Sequence, residues 1–181
     1  MLCGMAAAHA ISINRAPVLT LWAAVVAERL GFDRAEALTL GRAVAGLNAY
    51  AKGVRLGLFE PTPQQVRAAR EAARAGTAIH VSLLGRAVPA MHTEDGIRAL
   101  EKEKPCKPES VERYLQGKFG AALDDARVAM AVLAKSLPPA RLAAEAFHLY
   151  EQFRPAIPAG AQGWGAKGTL DLERIRKLAK G

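Results

Sequence analysis

Apolar residues recur at helical spacing in the first third of the chain. Between positions 17 and 30 they are separated by three or four residues, which is the pattern of a helix that buries one side. This stripe consists of Val18, Leu21, Trp22, Val25, Val26 and Leu30. Gly31 ends the helix, and Asp33 with Glu36 makes a D-x-x-E variant of the capping box that opens a second helix. We therefore predict a helical hairpin over residues 17–51.

The pattern changes to alternation over residues 78–92. Isoleucine, valine and leucine there alternate with other residues, as they do in a half-buried strand. Gly85-Arg86 suits a two-residue turn of type II′. The segment is therefore predicted to be a β-hairpin, and it is the one sheet that we expect. The register set by this turn pairs Leu83 with Val88 and Val81 with Ala90.

The remaining helices are predicted from their start signals. Thr62-Pro63, followed by glutamine at the third position, opens a helix that runs to about Ala75. Thr93 is predicted to cap a short helix that ends at Lys102. A later helix is expected from Pro108, interrupted at Gly117 or Gly120, with a continuation that carries Leu123. Pro138-Pro139 ends it and starts another helix, and a final helix is expected from Leu170.

These elements indicate a mostly α, single-domain protein of six to eight helices with one inserted β-hairpin. Its 181 residues, of which 51% are apolar, can bury about 70% of the surface of the unfolded chain. Residues 1–14 are expected to be a flexible N-terminus, and residues 15–155 a helical domain with the hairpin near 78–92. Residues 156–181 are expected to form a Pro/Gly-rich connector and a basic C-terminal helix packed on the same domain.

Positive charge is concentrated in two parts of the chain. The net charge of +8 favours partners such as nucleic acid or another polyanion. Three arginines in the helix predicted at 62–75 are spaced at i, i+3 and i+7, so they lie along one side and can contact successive phosphates. The alternative is a solvated helix face. The candidate phosphate-binding residues are Arg67, Arg70 and Arg74 in that helix and Lys167, Arg174, Arg176 and Lys177 near the C-terminus.

The turn between the first two helices also has the spacing of a DNA-binding helix-turn-helix unit. Both helices are longer than that motif needs, and Gly41 and Gly46 are typical of close helix packing. We therefore favour a helical hairpin in the core. The side chains that the second helix would otherwise offer to the bases are Arg34, Glu36, Thr39 and Arg42.

No catalytic, cofactor or metal site is predicted. The glycine cluster near the C-terminus lacks the order of a phosphate-binding loop, because one residue separates Gly165 from Lys167 and another separates Lys167 from Thr169. Two cysteines, Cys3 and Cys106, supply neither a disulfide framework nor a four-ligand zinc site. Three lysines near Cys106 would lower the pKa of its thiol, but a loop cysteine without a partner is the favoured interpretation.

Nothing in the sequence predicts a membrane span or a signal peptide. No window approaches the roughly 20 apolar residues that cross a bilayer, and the N-terminal MLCGMAAAHAISI has no basic leader. Met5 is an alternative start to Met1. The low cysteine content fits reducing conditions, so we expect a cytoplasmic protein.

Several segments resemble a family of small bacterial proteins. They are LLGRAVPAMHTEDGIRAL, KPESVERYLQGKFG, GWGAKGTLDLERIRKLAK and residues 13–51, which together cover most of the chain. The resemblance implies a bacterial cytoplasmic origin. It implies nothing about chemistry, because we know of no activity or site residues for that family.

Three classes of function remain open. The first is a nucleic-acid-associated protein that contacts phosphates through the seven candidate residues. The second is an interaction or scaffold protein that associates with itself or a partner through small-residue helices. The third is a small enzyme whose site is assembled from distant residues. The sequence favours a binding protein over an enzyme.

Overall fold

A computed structural model describes residues 10–55, 78–157 and 166–181, which form a mixed α/β fold. The helix predicted at 62–75, with its three arginines, lies outside these residues. The helices are α1 (Arg15–Arg29), α2 (Arg34–Arg55), α3 (Pro108–Phe119), α4 (Leu123–Lys135), α5 (Pro139–Phe153) and α6 (Leu172–Ala179). The strands are β1 (Ala10–Asn14), β2 (Ala78–Leu83), β3 (Arg86–Thr93), β4 (Gly96–Glu101), β5 (Lys104–Pro105) and β6 (Lys167–Asp171).

The prediction of a mostly α protein with one β-hairpin is wrong. Six strands in the described residues form two sheets, one with the order β2-β3-β4-β5 and one that pairs β1 with β6. The second sheet joins segments near the two ends of the chain, with Ile13 opposite Gly168. Residues 10–14 lie in the segment that we expected to be flexible, and residues 167–171 precede the last helix. Each of these strands has only five residues, too few for alternation to reveal it.

The predicted hairpin at 78–92 is present, but its turn lies one residue earlier than expected. Leu84 and Gly85 occupy the turn with φ of 48° and 75°, the left-handed values that a type I′ turn needs at both positions. The Leu84 side chain is 5% exposed, so its burial offsets the backbone strain. The predicted register is therefore wrong by two residues. The observed register pairs Leu83 with Arg86, Val81 with Val88 and Ile79 with Ala90.

The helix predicted from Thr93 to Lys102 is replaced by strand β4 and the turn after it. The Thr93 hydroxyl accepts a hydrogen bond from Asp95 N at 3.2 Å and donates one to Gly96 O at 2.7 Å. It therefore stabilises a tight turn and not a helix start. A threonine hydroxyl can cap a helix or stabilise a turn. The Asp-Gly pair next to alternating apolar residues is the sequence feature that favours a turn here.

Helix α1 lies at the centre of the fold. Residues 17–27 are all buried, because α2, α3, α4 and α5 pack around the helix. Trp22 Nε1 donates to Ala146 O at 2.8 Å, and the Trp22 ring meets Phe153 edge-on, with the ring centroids 5.3 Å apart. The prediction of a core helix is confirmed here, and the burial extends well beyond the predicted stripe.

Helices α1 and α2 pack closely because Gly41 has no side chain. A Cβ built on Gly41 would lie 2.5 Å from Thr20 O and 2.8 Å from Ala24 N. Both of these are backbone atoms of α1, so they cannot rotate away. Gly46 lies in the same helix, yet a Cβ built there would have no atom within 4 Å. The predicted close packing is confirmed at Gly41 and not at Gly46.

The two glycines make a matched pair of substitutions. Gly41→Ala should cost about 1–3 kcal/mol of stability, because the added methyl group must push the helices apart. Gly46→Ala should gain up to about 1 kcal/mol, because alanine has the higher helix propensity. Urea unfolding followed by circular dichroism measures both. Equal stabilities of the two variants would contradict the close α1–α2 contact.

Helix α2 begins with the predicted capping box and also binds strand β4. Glu36 N donates to Asp33 Oδ1 at 2.8 Å, and Asp33 N donates to Glu36 Oε1 at 3.0 Å. Glu36 Oε2 accepts from Ile97 N at 2.8 Å. Thr39 Oγ1 accepts from Ala99 N at 3.1 Å. Two N–H groups on one edge of β4 are thus bonded by helix side chains instead of by another strand.

Replacement of Thr39 by valine should cost about 1–3 kcal/mol, because the buried Ala99 N–H would lose its acceptor. Thr20 is the matched control, since both threonines are 0% exposed. Thr20 Oγ1 donates to Ala16 O within α1 at 2.9 Å, and in Thr20→Val that carbonyl keeps its helical partner. Urea unfolding should show a much larger loss for T39V than for T20V. Equal losses would argue that Thr39 acts through packing alone.

Candidate functional site

The structure describes four of the seven predicted phosphate-binding residues. Lys167 in β6 and Arg174 and Lys177 in α6 are exposed. Arg176 is half-buried and forms an ion pair with Glu173. The remaining residues lie outside the described ranges, so their alignment stays a prediction; they are Arg67, Arg70 and Arg74.

The exposed side of α6 carries a row of cations. Asp171 caps the helix by accepting a hydrogen bond from Glu173 N at 3.0 Å, and the buried Leu172 and Ile175 hold it where it packs on α4. No carboxylate of the described residues lies within 4.0 Å of the cations in this row. We call the row the C-terminal ridge, and its members, spaced three residues apart, are Arg174, Lys177 and Lys180.

A second group of cations lies where α1, β6 and the end of α5 meet. Arg15 is the first residue of α1, and its Nε donates to Pro155 O at 3.0 Å, next to Arg154. Lys167 lies close by, because it is opposite Asn14 in the β1–β6 register. We call Arg15, Arg154 and Lys167 the basic cluster.

The basic cluster has no acidic partner in the part of the chain that the structure describes. No carboxylate there lies within 4.0 Å of Arg15 or Arg154. Burial first, and then the positive charge of Arg154, lower the pKa of the Arg15 guanidinium. Sequence reasoning missed both arginines, because Arg15 and Pro155 are 140 positions apart and no local pattern connects them.

Tyr150 lies beside the basic cluster. Its side chain is 2% exposed and packs against Phe147 and Phe153. Its hydroxyl is 3.5 Å from Arg15 O, the outer limit of a hydrogen bond. Burial raises the pKa of Tyr150 to about 12, although the charges of Arg15 and Arg154 act in the opposite direction. The phenol is therefore neutral at physiological pH and does not act there as a base.

The raised pKa of Tyr150 predicts a stability that depends on pH. The phenol of the unfolded chain ionises near pH 10.0, whereas the folded protein holds this proton up to about 12. The contribution is fully present below pH 10 and is lost as the pH rises through 12, by roughly 2–3 kcal/mol. Ultraviolet titration should show Tyr150 ionising last of the three tyrosines, and Tyr150→Phe should abolish that step. A last step that persists in Y150F would assign it to another tyrosine.

A cavity of about 390 Å³ lies between α2 and the four-stranded sheet. Helix α2 supplies one wall, and β3, β4 and the residue after β5 supply the other. Most of the lining is apolar and small, with Leu47, Pro89 and Leu100 as its larger members. Four lining side chains contribute polar atoms: Thr39, Arg42, Glu101 and Cys106.

Arg42 is the one basic side chain among the described lining residues of this cavity. Its guanidinium carbon lies 4.4 Å from the centroid of the Tyr114 ring, which is a cation–π contact. Burial raises the pKa of Tyr114, while the charge of Arg42 and its hydrogen bond lower it. No carboxylate of the described ranges lies within 4.0 Å of Arg42. An aromatic ring therefore holds this cation in place without an ion pair.

Cys106 is a buried thiol, and the idea that nearby lysines lower its pKa is wrong. Its side chain is 7% exposed, and its N–H donates to Ala99 O at 2.8 Å. Burial first, and then the negative charge of Glu101, raise the pKa of the thiol, while Arg42 acts in the opposite direction. The thiol therefore stays protonated near neutral pH and is a poor nucleophile.

The four α2 side chains considered for reading bases all have partners within the protein. Of the four side chains considered for that role, Thr39 is fully buried, Glu36 binds β4 and Arg42 stacks on an aromatic ring. Arg34 is exposed and pairs with Glu28 at 3.3 Å. The interpretation as a helical hairpin in the core is confirmed.

Gly168 serves the sheet and not a phosphate-binding loop. It lies opposite Ile13 in the β1–β6 pairing, and a Cβ built on it would be 2.3 Å from Ala156 O. Ala156 forms a bridge with Thr169 on that side of β6, so only glycine fits between the two backbones. The other glycines of the cluster lie outside the described residues.

Among the described residues, no group of three or more His, Cys, Asp or Glu side chains is placed to hold a metal ion. None of the helices in residues 10–55, 78–157 and 166–181 combines the length and apolar composition needed to cross a bilayer.

Compared with known proteins, the chain matches no family model, no curated protein and no solved structure. The resemblance to small bacterial proteins therefore rests on the quoted segments alone. The function has to be argued from the basic surfaces and the cavity.

Proposed function

We propose that this protein binds nucleic acid through phosphate contacts made by the basic cluster and the C-terminal ridge. The observation that supports the proposal best is the approach of Arg15 to Arg154, with no carboxylate of the described residues within 4.0 Å of either. Like charges held together repel each other unless an anion lies between them. A phosphate suits this place, because guanidinium groups donate two N–H groups to its oxygens.

The C-terminal ridge favours a polymer over a single small anion. The segment 166–181 contains five basic and two acidic residues, a net charge of +3 (5 − 2). Lys167 at the start of β6 belongs to the basic cluster, whereas the ridge follows the end of that strand. A backbone with regularly spaced charges can contact both groups at once, and one small anion can contact only one of them.

The binding should depend on the nucleic-acid backbone and not on base sequence. Phosphate contacts carry no sequence information by themselves, and the four α2 side chains considered for reading bases have partners within the protein. Arg67, Arg70 and Arg74 are proposed to add further phosphate contacts. We also propose a cytoplasmic location, which the free, buried thiol of Cys106 supports.

Fluorescence anisotropy with a labelled DNA duplex tests this proposal. The full chain should bind at low salt, and its log affinity should fall linearly with log salt concentration. Arg154→Ala and Lys177→Ala should each weaken binding and reduce the magnitude of that slope by about 0.9, the value of one phosphate contact. Lys104→Ala is the matched control, because Lys104 is exposed in β5 of the other sheet. It should bind as the unchanged protein does.

Two outcomes would count against nucleic-acid binding by these groups. One is the absence of binding at micromolar protein in low salt. The other is an equal loss of affinity in K104A, which would show a diffuse effect of net charge. Circular dichroism of each variant confirms that the fold is retained. A duplex of shuffled sequence should bind with unchanged affinity if only the backbone is contacted.

Self-association is the second candidate function, and a surface of α4 favours it. Val128 and Val132 lie one turn apart and are 63% and 52% exposed, so they form an apolar strip on the helix. Small residues were the expected assembly surface. Gly41, however, packs against α1 inside the chain, so the valines are the better candidates.

Light scattering on a size-exclusion column tests the valine strip. The unchanged protein should show a mass above that of the monomer that rises with concentration, and Val128→Asp should reduce it to the monomer, because a carboxylate in an apolar interface is strongly disfavoured. Gln116→Asp adds the same charge at an exposed position of α3 and should change nothing. A monomer at every concentration would remove this candidate.

A further inference from the structure

The cavity between α2 and the four-stranded sheet has the properties of a ligand site. Its volume of about 390 Å³ lies within the range of roughly 300–1,000 Å³ that small-molecule sites occupy. Voids left by imperfect packing are much smaller, about the size of one water molecule. Gly46 in its wall is exposed, and a Cβ built there would meet open space. The cavity is therefore accessible to a molecule from solution.

The polar side chains that line the cavity differ in whether they leave a hydrogen-bonding or charged group for a ligand. The Thr39 hydroxyl is already bonded to Ala99 N. The Cys106 thiol is neutral and buried. Arg42 is different, because the Tyr114 ring holds its guanidinium at 4.4 Å and no described carboxylate neutralises it. The N–H groups of Arg42 that do not bond Tyr114 are thus the positioned, positively charged donors of this cavity.

The charge around Arg42 favours a ligand with a single negative charge. Glu101 lines the same cavity, and its carboxylate repels anions. Arg42 and Glu101 together carry no net charge, so a dianion such as a phosphate monoester gains no more net attraction than a carboxylate and loses more hydration when it enters the cavity. A carboxylate also matches the planar guanidinium with its two oxygens. The apolar wall formed by Leu47, Pro89 and Leu100 suits a hydrocarbon body.

From this arrangement we propose that the cavity binds a small carboxylic acid with an apolar body, whose carboxylate pairs with Arg42. The apolar part lies between α2 and β3–β4, against Leu47, Pro89 and Leu100. Ala16 of α1, which follows Arg15, also lines this cavity, but no residue of the basic cluster or the C-terminal ridge does, and the proposal does not depend on nucleic-acid binding.

Isothermal titration calorimetry with octanoate as the probe tests the proposal on the full chain. Octanoate should bind at least tenfold more tightly than octanamide, which has the same hydrocarbon body without the charge. Octyl phosphate should bind more weakly than octanoate, because its second charge costs more desolvation and the pair of Arg42 and Glu101 offers it no net attraction. Backbone amide shifts in nuclear magnetic resonance spectra should change at Gly46, Ala99 and Leu100 on addition of octanoate.

Three variants distinguish the contribution of the Arg42 charge from that of the open volume of the cavity. Arg42→Met keeps the apolar stem and should lower octanoate affinity at least tenfold while leaving octanamide affinity unchanged. Gly46→Leu should weaken both ligands, because its side chain enters the cavity. Lys118→Met is the matched control: Lys118 Nζ lies 6.0 Å from the Tyr114 ring centroid, but the residue does not line the cavity. It should bind octanoate as the unchanged protein does.

Several results would overturn this assignment. They are no octanoate binding at millimolar concentration, equal affinities for octanoate and octanamide, and an R42M variant with unchanged octanoate affinity. Tighter binding of octyl phosphate would assign the cavity to phosphates. Amide shifts confined to α4 would place the ligand on the exposed valines. Circular dichroism confirms the fold of each variant, so a loss of binding in a folded R42M cannot be ascribed to unfolding.

Discussion

The complete burial of helix α1 is the constraint on which the rest of the structure depends. A helix satisfies its own backbone, so only its polar side chains need partners when all of its sides are covered. Thr20 bonds the carbonyl of Ala16 in the same helix, and Trp22 bonds the carbonyl of Ala146 in α5. Covering residues 17–27 requires four neighbouring helices. The sheets must therefore lie outside this helical layer, where they join the chain ends and support α2.

Helix α2 connects the buried core to the four-stranded sheet. On one side it must come very close to α1, which leaves room only for glycine at position 41. On another side Glu36, Thr39 and Arg42 follow one another at intervals of three residues. The first two bond N–H groups of β4, whereas the third lines the cavity together with Leu100 and Glu101 of β4. The site thus begins where the helix–strand contacts end.

Sequence reasoning succeeded where the deciding contacts are local. The Asp33–Glu36 capping box, the buried first helix and the presence of a hairpin at 78–92 all depend on residues a few positions apart. These predictions are confirmed, although the turn and the register of the hairpin differ from those predicted. The β1–β6 sheet could not be predicted, because five-residue strands from opposite ends of the chain recognise each other only after α1 is packed. Thr93 misled the prediction because its hydroxyl can cap a helix or a turn, and only the pairing of β4 decides between them.

The candidate sites also differ in whether local sequence could predict them. Lys167, Arg174 and Lys177 could be chosen from charge density alone, since five of the sixteen residues in segment 166–181 are basic. The basic cluster could not, because Arg15 and Arg154 meet only through the tertiary fold. Charge density would also have missed the cavity, since its described lining residues include one basic and one acidic side chain, Arg42 and Glu101.

The distribution of charge along the chain distinguishes the two proposed binding sites and the ligands that they attract. A polyanion is attracted to the segment with a net excess of cations, whereas the neighbourhood of Arg42 includes a carboxylate and a neutral thiol. Long-range attraction is therefore weak at the cavity, and recognition there depends on one guanidinium and on apolar burial. High salt should weaken phosphate contacts steeply and affect a single, partly buried ion pair far less. The two activities can coexist in one chain because they respond to different physical forces.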